Sequence, residues 1–160
     1  MTIKVGDQLP SVTLQHKTAD GIQSVSTDDF FKGKKVVIFA VPGAFTPTCS
    51  AKHLPGFVSN ADVIKAKGVD EIACVSVNDA FVMDAWGQAQ NAGRKVTMLA
   101  DGSAMLAKAL GLSLDLEDRG LGTRSQRYAM VVDDGKVSVL NVEESGAFEK
   151  SSAETIIAAL

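Results

Sequence analysis

Cysteine is scarce in this chain: two in 160 residues, Cys49 and Cys74, too few to staple a domain of this length, which excludes a disulfide scaffold. Surplus positive charge is also missing. Sixteen Lys and Arg against 19 Asp and Glu leave a formal net charge of -3, so no basic field exists to hold nucleic acid or an anionic membrane surface. Met1 to Asp7 contain no apolar signal core, and the longest apolar stretch, Val36 to Phe45, is too short to span a bilayer. A protein of a reducing compartment, by default the cytoplasm, is therefore expected, although a chain processed for an organelle would look the same. There is no internal repeat and no low-complexity tract. What remains, 46% hydrophobic and 22% charged residues, suffices for one well-buried core and is short for two, so residues 1–160 are expected to form a single domain.

The stretch Val41-Pro42-Gly43-Ala44-Phe45-Thr46-Pro47-Thr48-Cys49 organises the rest. It follows the buried run Val36 to Ala40 and reads as a strand feeding a helix through a turn. Gly43 supplies backbone freedom, Thr46 is suited to the N-cap, and Pro47 to the first helical position, where a missing N–H costs nothing. Cys49 then falls in the first helical turn, where unpaired N–H groups and the helix dipole favour thiolate over thiol. A free cysteine is more often a packed structural residue. Strand, turn, cap and proline together point to a nucleophile.

Along the chain, Val12 to Leu14 and Ile22 to Val25 flank Ala19-Asp20-Gly21 as an N-terminal hairpin. The helix carrying Cys49 is expected to bend or end near Pro55-Gly56 and resume to Gly68. Ile72 to Val77 is a second buried strand, followed by a helix from Asn78-Asp79 with Phe81, Val82, Ala85 and Trp86 on one face. Val96 to Ala100 and Ser103 to Leu110 make a third strand and helix, and Ser113 to Arg127 reads as a long irregular excursion. Tyr128 to Val132 and Val137 to Val142 flank Asp133-Asp134-Gly135-Lys136, a hairpin signal. Ser151 with Glu154 has the spacing of a capping box ahead of a terminal helix. Such βα units closed by a hairpin and a helix predict an α/β, thioredoxin-like fold: a mixed central sheet flanked by helices, with an N-terminal hairpin extension.

Pro42-Gly43-Ala44-Phe45-Thr46-Pro47-Thr48-Cys49 is a P-x-x-x-T-x-x-C pattern that resembles the peroxidatic motif of peroxiredoxins. Ser50 to Phe57, Val75 to Val82 and Gly120-Leu121-Gly122 narrow the likeness to the type II, or peroxiredoxin-5, subgroup of plants and bacteria, and similarity runs from Val5-Gly6-Asp7 to Leu160. The resemblance implies a thiol-dependent peroxidase with Cys49 as nucleophile, Thr46 as a hydroxyl partner of the peroxide, Pro42 as a pocket wall, and the arginine before the Tyr128 strand, Arg127, as the cation. It also implies a homodimer. The chemistry agrees: splitting an O–O bond with a thiolate moves negative charge from sulfur across two oxygens, so it needs an activated sulfur and fixed donors, among them the N–H groups of Thr48 and Cys49. Arg119 and Arg124 read as surface charges, with Arg124 the substitute if Arg127 fails.

No cofactor or metal is implied. His53, one turn after Cys49, invites a Cys–His pair, but no third group is placed to orient it, and support of the pocket is the expected role. Trp86 and Phe81 read as core or interface. Cys74, mid-strand, is expected to be inert. Some subgroup members carry a second cysteine near the C-terminus, whereas Gly146 to Ser152 has none, so a Cys49 sulfenic acid would need an external thiol: glutathione with glutaredoxin, favoured by the likeness, or thioredoxin. Two other readings stand beside this one. A thiol–disulfide oxidoreductase is disfavoured by Thr46 at the first position of what would be C-x-x-C, and a peroxide-sensing relay or chaperone would use the same Cys49.

Overall fold

The computed structural model describes residues 2–160. The N-terminal hairpin is present as β1 (Thr13–Thr18) and β2 (Gly21–Ser26), turning at Gly21 with φ 105°. It is not an appendage. Gln15 pairs with Ala100, which joins the hairpin to the main sheet. A short helix unanticipated from the sequence, α1 (Thr27–Phe31), follows, with the Ser26 side chain accepting from Asp29 N–H as its cap.

The apolar run becomes β3 (Lys35–Ala40), and Val36 to Ala40 are all buried. Burial on both faces marks a central strand of a mixed sheet covered on both sides, which is why hydrophobicity is continuous here and does not alternate. After the turn that follows β3 come a π-helical segment at Cys49–His53, α2 (Leu54–Ser59) and α3 (Ala61–Ala66). The expected break at Pro55-Gly56 does not occur. Pro55 has no N–H to offer Ala51, and the helix meets this by widening one turn earlier, where Leu54 N–H bonds the Cys49 carbonyl five residues back. The interruption falls instead at Asn60, between α2 and α3.

Then follow β4 (Glu71–Ser76), α4 (Ala80–Ala89) capped by the Asp79 side chain, β5 (Thr97–Ala100) and α5 (Met105–Leu110). The stretch expected to be irregular holds a second small sheet, β6 (Ser113–Leu116) and β7 (Gly122–Ser125), joined by a 3-10 turn. The closing hairpin is β8 (Tyr128–Asp133) and β9 (Lys136–Val142), turning through Asp134 (φ 49°) and Gly135 (φ 83°), both left-handed as a two-residue hairpin loop requires. The terminal helix α6 (Ala153–Ala159) is capped by Ser152, which accepts from Thr155 N–H; Ser151, the expected cap, is engaged elsewhere.

The main sheet has the order β2-β1-β5-β4-β3-β8-β9, with β3, β4 and β5 parallel and the other pairs antiparallel. This is the thioredoxin-like α/β arrangement. Alternate residues of β3 serve two cores: Val37 and Phe39 join Phe57, Met83 and Trp86 on one side, while Val36, Ile38 and Ala40 join Leu14, Leu99 and Met130 on the other. The Phe39 and Phe57 rings stack with centroids 4.1 Å apart, which pins α2 onto β3 and so fixes the helix that carries Cys49. No helix among the described residues is long and apolar enough to cross a membrane.

Candidate active site

The turn after β3 is held by groups from the end of β4 and the loop that follows it. Ala44 N–H donates to Asn78 Oδ1 at 3.0 Å, and the Ser76 hydroxyl lies 2.7 Å from the same oxygen and 3.1 Å from the Val41 carbonyl. Neither Ser76 nor Asn78 is marked by the sequence as part of the turn, because both lie a full βα unit away. Gly43 is needed for room, not for an unusual φ: a Cβ there would sit 3.1 Å from both the Thr46 methyl and Arg124 Nη1. The left-handed residue is Phe45, at φ 64°, an unfavourable conformation for a bulky side chain that is also 56% exposed. Arg124, read as a surface charge, lies over this turn, with Nη1 3.4 Å from the Pro42 carbonyl; Arg119 is exposed.

The helix begins at Pro47, as its missing N–H suggests. Thr46 stands at the cap position, but its hydroxyl donates to the Gly43 carbonyl at 2.7 Å. With its hydrogen committed there, the oxygen is left as an acceptor. The first backbone bond runs from Ser50 N–H to the Thr46 carbonyl, so the N–H groups of Thr48 and Cys49 are among the unpaired donors of a helix start. Cys49 is fully buried, and its sulfur accepts a hydrogen bond from Arg127 Nη2 at 3.0 Å. Pro42, Thr48, Arg127 and Glu143 border a cavity of about 340 Å³ beside it. Cys49 and Arg127 thus meet across 78 positions of sequence and Pro42 borders the same cavity as Arg127, while the Thr46 hydroxyl is turned to the Gly43 carbonyl and does not line that cavity.

Arg127 has a second acceptor. Its Nη1 donates to His53 Nδ1 at 2.8 Å, while His53 Nε2 lies 2.9 Å from the Ser151 carbonyl. A guanidinium can only donate and a carbonyl only accept, so the imidazole is neutral with its hydrogen on Nε2. Burial, and after it the Arg127 charge, lowers the His53 pKa to about 3. His53 therefore supports the arginine, and both of its ring nitrogens are engaged away from the sulfur. Its ring packs among Phe39, Phe57 and Phe148.

Ser151 is held by a buried carboxylate the sequence did not flag. Glu143 Oε2 accepts from the N–H groups of Glu149, Lys150 and Ser151, each at 2.8 Å, and from the Ser151 hydroxyl at 2.7 Å. Burial alone would raise this carboxyl, but the Ser151 bonds and the Glu149 and Lys150 N–H groups together outweigh it and hold it below the usual range. A glutamate directly after an edge strand whose last residues are half-buried looks like an ordinary surface charge, so only the folded loop reveals it.

Cys74 is buried in β4, and burial, then the neighbouring Cys49, pushes its thiol well above the usual value. Trp86 is core, donating to the Ser50 hydroxyl at 3.0 Å, whereas Phe81 is 64% exposed. Among the described residues no three His, Cys, Asp or Glu side chains gather as metal ligands.

Residues 4–157 match the Redoxin family model. The chain is 56% identical to Peroxiredoxin-2E-2, chloroplastic, of Oryza sativa subsp. japonica, over 99% of its own length and 73% of that protein. It is 52% identical to Peroxiredoxin-2B of Arabidopsis thaliana, over 99% of this chain and 98% of that one. Its fold superposes on the crystal structure of reduced Prx3 from Vibrio vulnificus in complex with hydrogen peroxide with a TM-score of 0.96 at 58% identity, covering 99% of both chains.

Proposed function

This chain belongs to the redoxin family and, within it, to the peroxiredoxins, and on that premise we propose that it is a thiol-dependent peroxidase acting through Cys49 as one 160-residue domain. The observation that carries this is the Arg127 Nη2 to Cys49 Sγ contact of 3.0 Å at a buried sulfur beside a cavity. A fixed guanidinium at that distance gives the sulfur a charged hydrogen-bond donor, and the same fork has reach for the oxygens of a bound peroxide. Support for the substrate class comes from the Vibrio relative seen with hydrogen peroxide.

In the proposed reaction the thiolate attacks the nearer peroxide oxygen. An S–O bond forms and the O–O bond breaks, sulfur loses two electrons, and the distal oxygen leaves as hydroxide or alkoxide, to be protonated to water or alcohol. Thr46 accepts the hydrogen bond of the peroxide hydroxyl, Arg127 and the N–H groups of Thr48 and Cys49 stabilise the charge as it spreads over the oxygens, and Pro42 walls the pocket. One external thiol then condenses with the sulfenic acid, releasing water and leaving a mixed disulfide. A second thiol displaces Cys49 and leaves as the oxidised disulfide. Glutathione with glutaredoxin is the favoured reductant, with thioredoxin the competitor and the cytoplasm or a similarly reducing compartment the setting.

A peroxide-turnover assay run with each reductant separately tests this. Multiple equivalents of peroxide consumed per Cys49 support the enzyme; oxidation that stops at one equivalent with every thiol supports the sensor or relay instead. Cys49→Ser is expected to abolish turnover and Cys74→Ser to leave most of it, because only Cys49 has a cationic partner and a helix start. Equal losses in both variants would indicate a disulfide cycle between them.

A further inference from the structure

From the hydrogen-bond chain that ends on the sulfur, we propose that Glu143 is a positioning residue for Cys49 chemistry, acting through Ser151, His53 and Arg127 in turn. The inference rests on the peroxidase reading for its consequence in rate, but not for its structural content.

Glu143 is placed by the closing hairpin. Its N–H donates to the Arg127 carbonyl at 2.9 Å, one register step beyond the Tyr128 and Val142 pair, so Arg127 and Glu143 are cross-strand neighbours at the end of the ladder. From there the carboxylate gathers four donors of residues 149–151 onto Oε2. With three consecutive N–H groups tied to one oxygen, the backbone of this loop has little freedom, and the Ser151 carbonyl is fixed where His53 Nε2 meets it at 2.9 Å.

That contact decides which imidazole nitrogen carries the hydrogen. With Nε2 protonated, Nδ1 has a lone pair and accepts from Arg127 Nη1 at 2.8 Å. Were the hydrogen on Nδ1, two N–H groups would face each other at that distance and the guanidinium would have to turn away. Arg127 is held on one side by His53 and reaches Cys49 Sγ with the other, so turning loses the 3.0 Å bond to sulfur. The loop carbonyl thus selects a tautomer, the tautomer orients the arginine, and the arginine faces the sulfur.

The design of the carboxylate fits this use. Glu143 is 5% exposed and charged, and its second oxygen, Oε1, is buried without a hydrogen-bond partner. Burying a charged group to tie a surface loop is costly when a neutral side chain would serve, and the unpartnered oxygen adds to the cost. A carboxylate here, beside the Arg127 and His53 pair, makes sense if loop position matters to that pair.

The test reads the tautomer directly. In long-range proton–nitrogen correlation spectra of the reduced protein, His53 is expected as a single tautomer protonated at Nε2. Glu143→Gln keeps the shape and one acceptor oxygen but removes the charge; Glu143→Ala removes both. The fraction of His53 that leaves the Nε2-protonated form is expected to rise from parent to Gln to Ala. The bimolecular rate constant for Cys49 oxidation by peroxide is expected to fall in the same order, by about tenfold or more in the alanine variant, as for other orienting partners behind a reactive group. In a His53→Gln background, Glu143→Gln should cost less than about twofold further, since the path it acts through is already cut. A folded Glu143→Ala protein with an unchanged tautomer and the parent rate overturns the proposal, as does a full additive loss in the His53→Gln background. If the alanine variant does not fold, Glu143→Gln and the double-variant comparison decide the same question. Should the parent itself fail to turn over peroxide, the peroxidase reading falls, while the tautomer measurement still judges the positioning role.

Discussion

Arg127 works as a fork: one nitrogen is spent on His53 and the other on Cys49 Sγ. An ammonium cannot span both acceptors in fixed geometry, so Arg127→Lys is expected to slow Cys49 oxidation by about 100-fold although the charge is kept. Stopped-flow oxidation at several peroxide concentrations measures it, and a parent rate would transfer the role to Arg124. Thr46 separates in the same assay. Its oxygen is an acceptor because its hydrogen is held by Gly43, so Thr46→Ser should retain most of the rate and Thr46→Val lose roughly tenfold or more. His53 gives a pH signature. Its folded pKa of about 3 lies below the ordinary histidine value of 6.5, so between them the unfolded chain binds a proton that the folded one excludes. Its contribution is therefore complete above 6.5 and lost as pH falls toward 3, at up to about 1.4 kcal/mol per pH unit. Glu143, also depressed, adds a loss of the same sign at the acid end. Only Arg127 and Glu143 act on His53 as charges in this setting, so denaturation curves of His53→Gln should show a flatter dependence across that window than the parent. An equal slope would mean the histidine is not buried neutral.

The π-helical turn at Cys49–His53 is a structural compromise around Pro55, and it sits at the fully buried sulfur that an external thiol would have to reach in the proposed cycle. Pro55→Ala restores a donor and is expected to add about 1 kcal/mol to the helix, leaving roughly fivefold less of the opened form. Thiol-dependent recycling of oxidised Cys49 should slow by that factor while the peroxide step keeps its rate; slowing of both steps equally would deny the turn a gating role. Elements of this kind also mark where sequence reading succeeds. β3, β4, β5 and β8 are legible as buried apolar runs, and the Asp134-Gly135 turn announces β9. β6 and β7 are not, because these four-residue strands pair only with each other and are mostly exposed or half-buried, leaving no apolar stripe to read. α1 is five residues long, shorter than a periodicity can register. At the C-terminus two adjacent serines compete for the cap, and Ser152 takes it because Glu143 takes Ser151.

Across the whole molecule, Phe45 in the turn before Cys49 and Phe81 at the start of α4 are exposed, and Phe45 holds a left-handed backbone besides. A homodimer contact there would cover aromatic area that solvent otherwise meets. Sedimentation of the reduced protein at micromolar concentration is expected to give a dimer that Phe81→Asp dissociates; a monomer throughout removes this expectation. Much of the site was readable because Pro42, Thr46 and Cys49 lie within one short motif and Arg127 opens a strand. Glu143 was not, since its role arises from contacts between distant segments and leaves no local pattern; Ser76 and Asn78 lie within the Val75 to Val82 motif, but their grip on the turn shows only in the fold. The long interval between Cys49 and Arg127 also bears on synthesis. A chain leaving the ribosome exposes its thiol 78 residues before the guanidinium emerges. The sulfur gains its cation only when the final hairpin pairs beside β3, the same event that completes the sheet. Until that pairing the Cys49 sulfur has no guanidinium beside it, so the contact on the sulfur and the closing of the sheet form together.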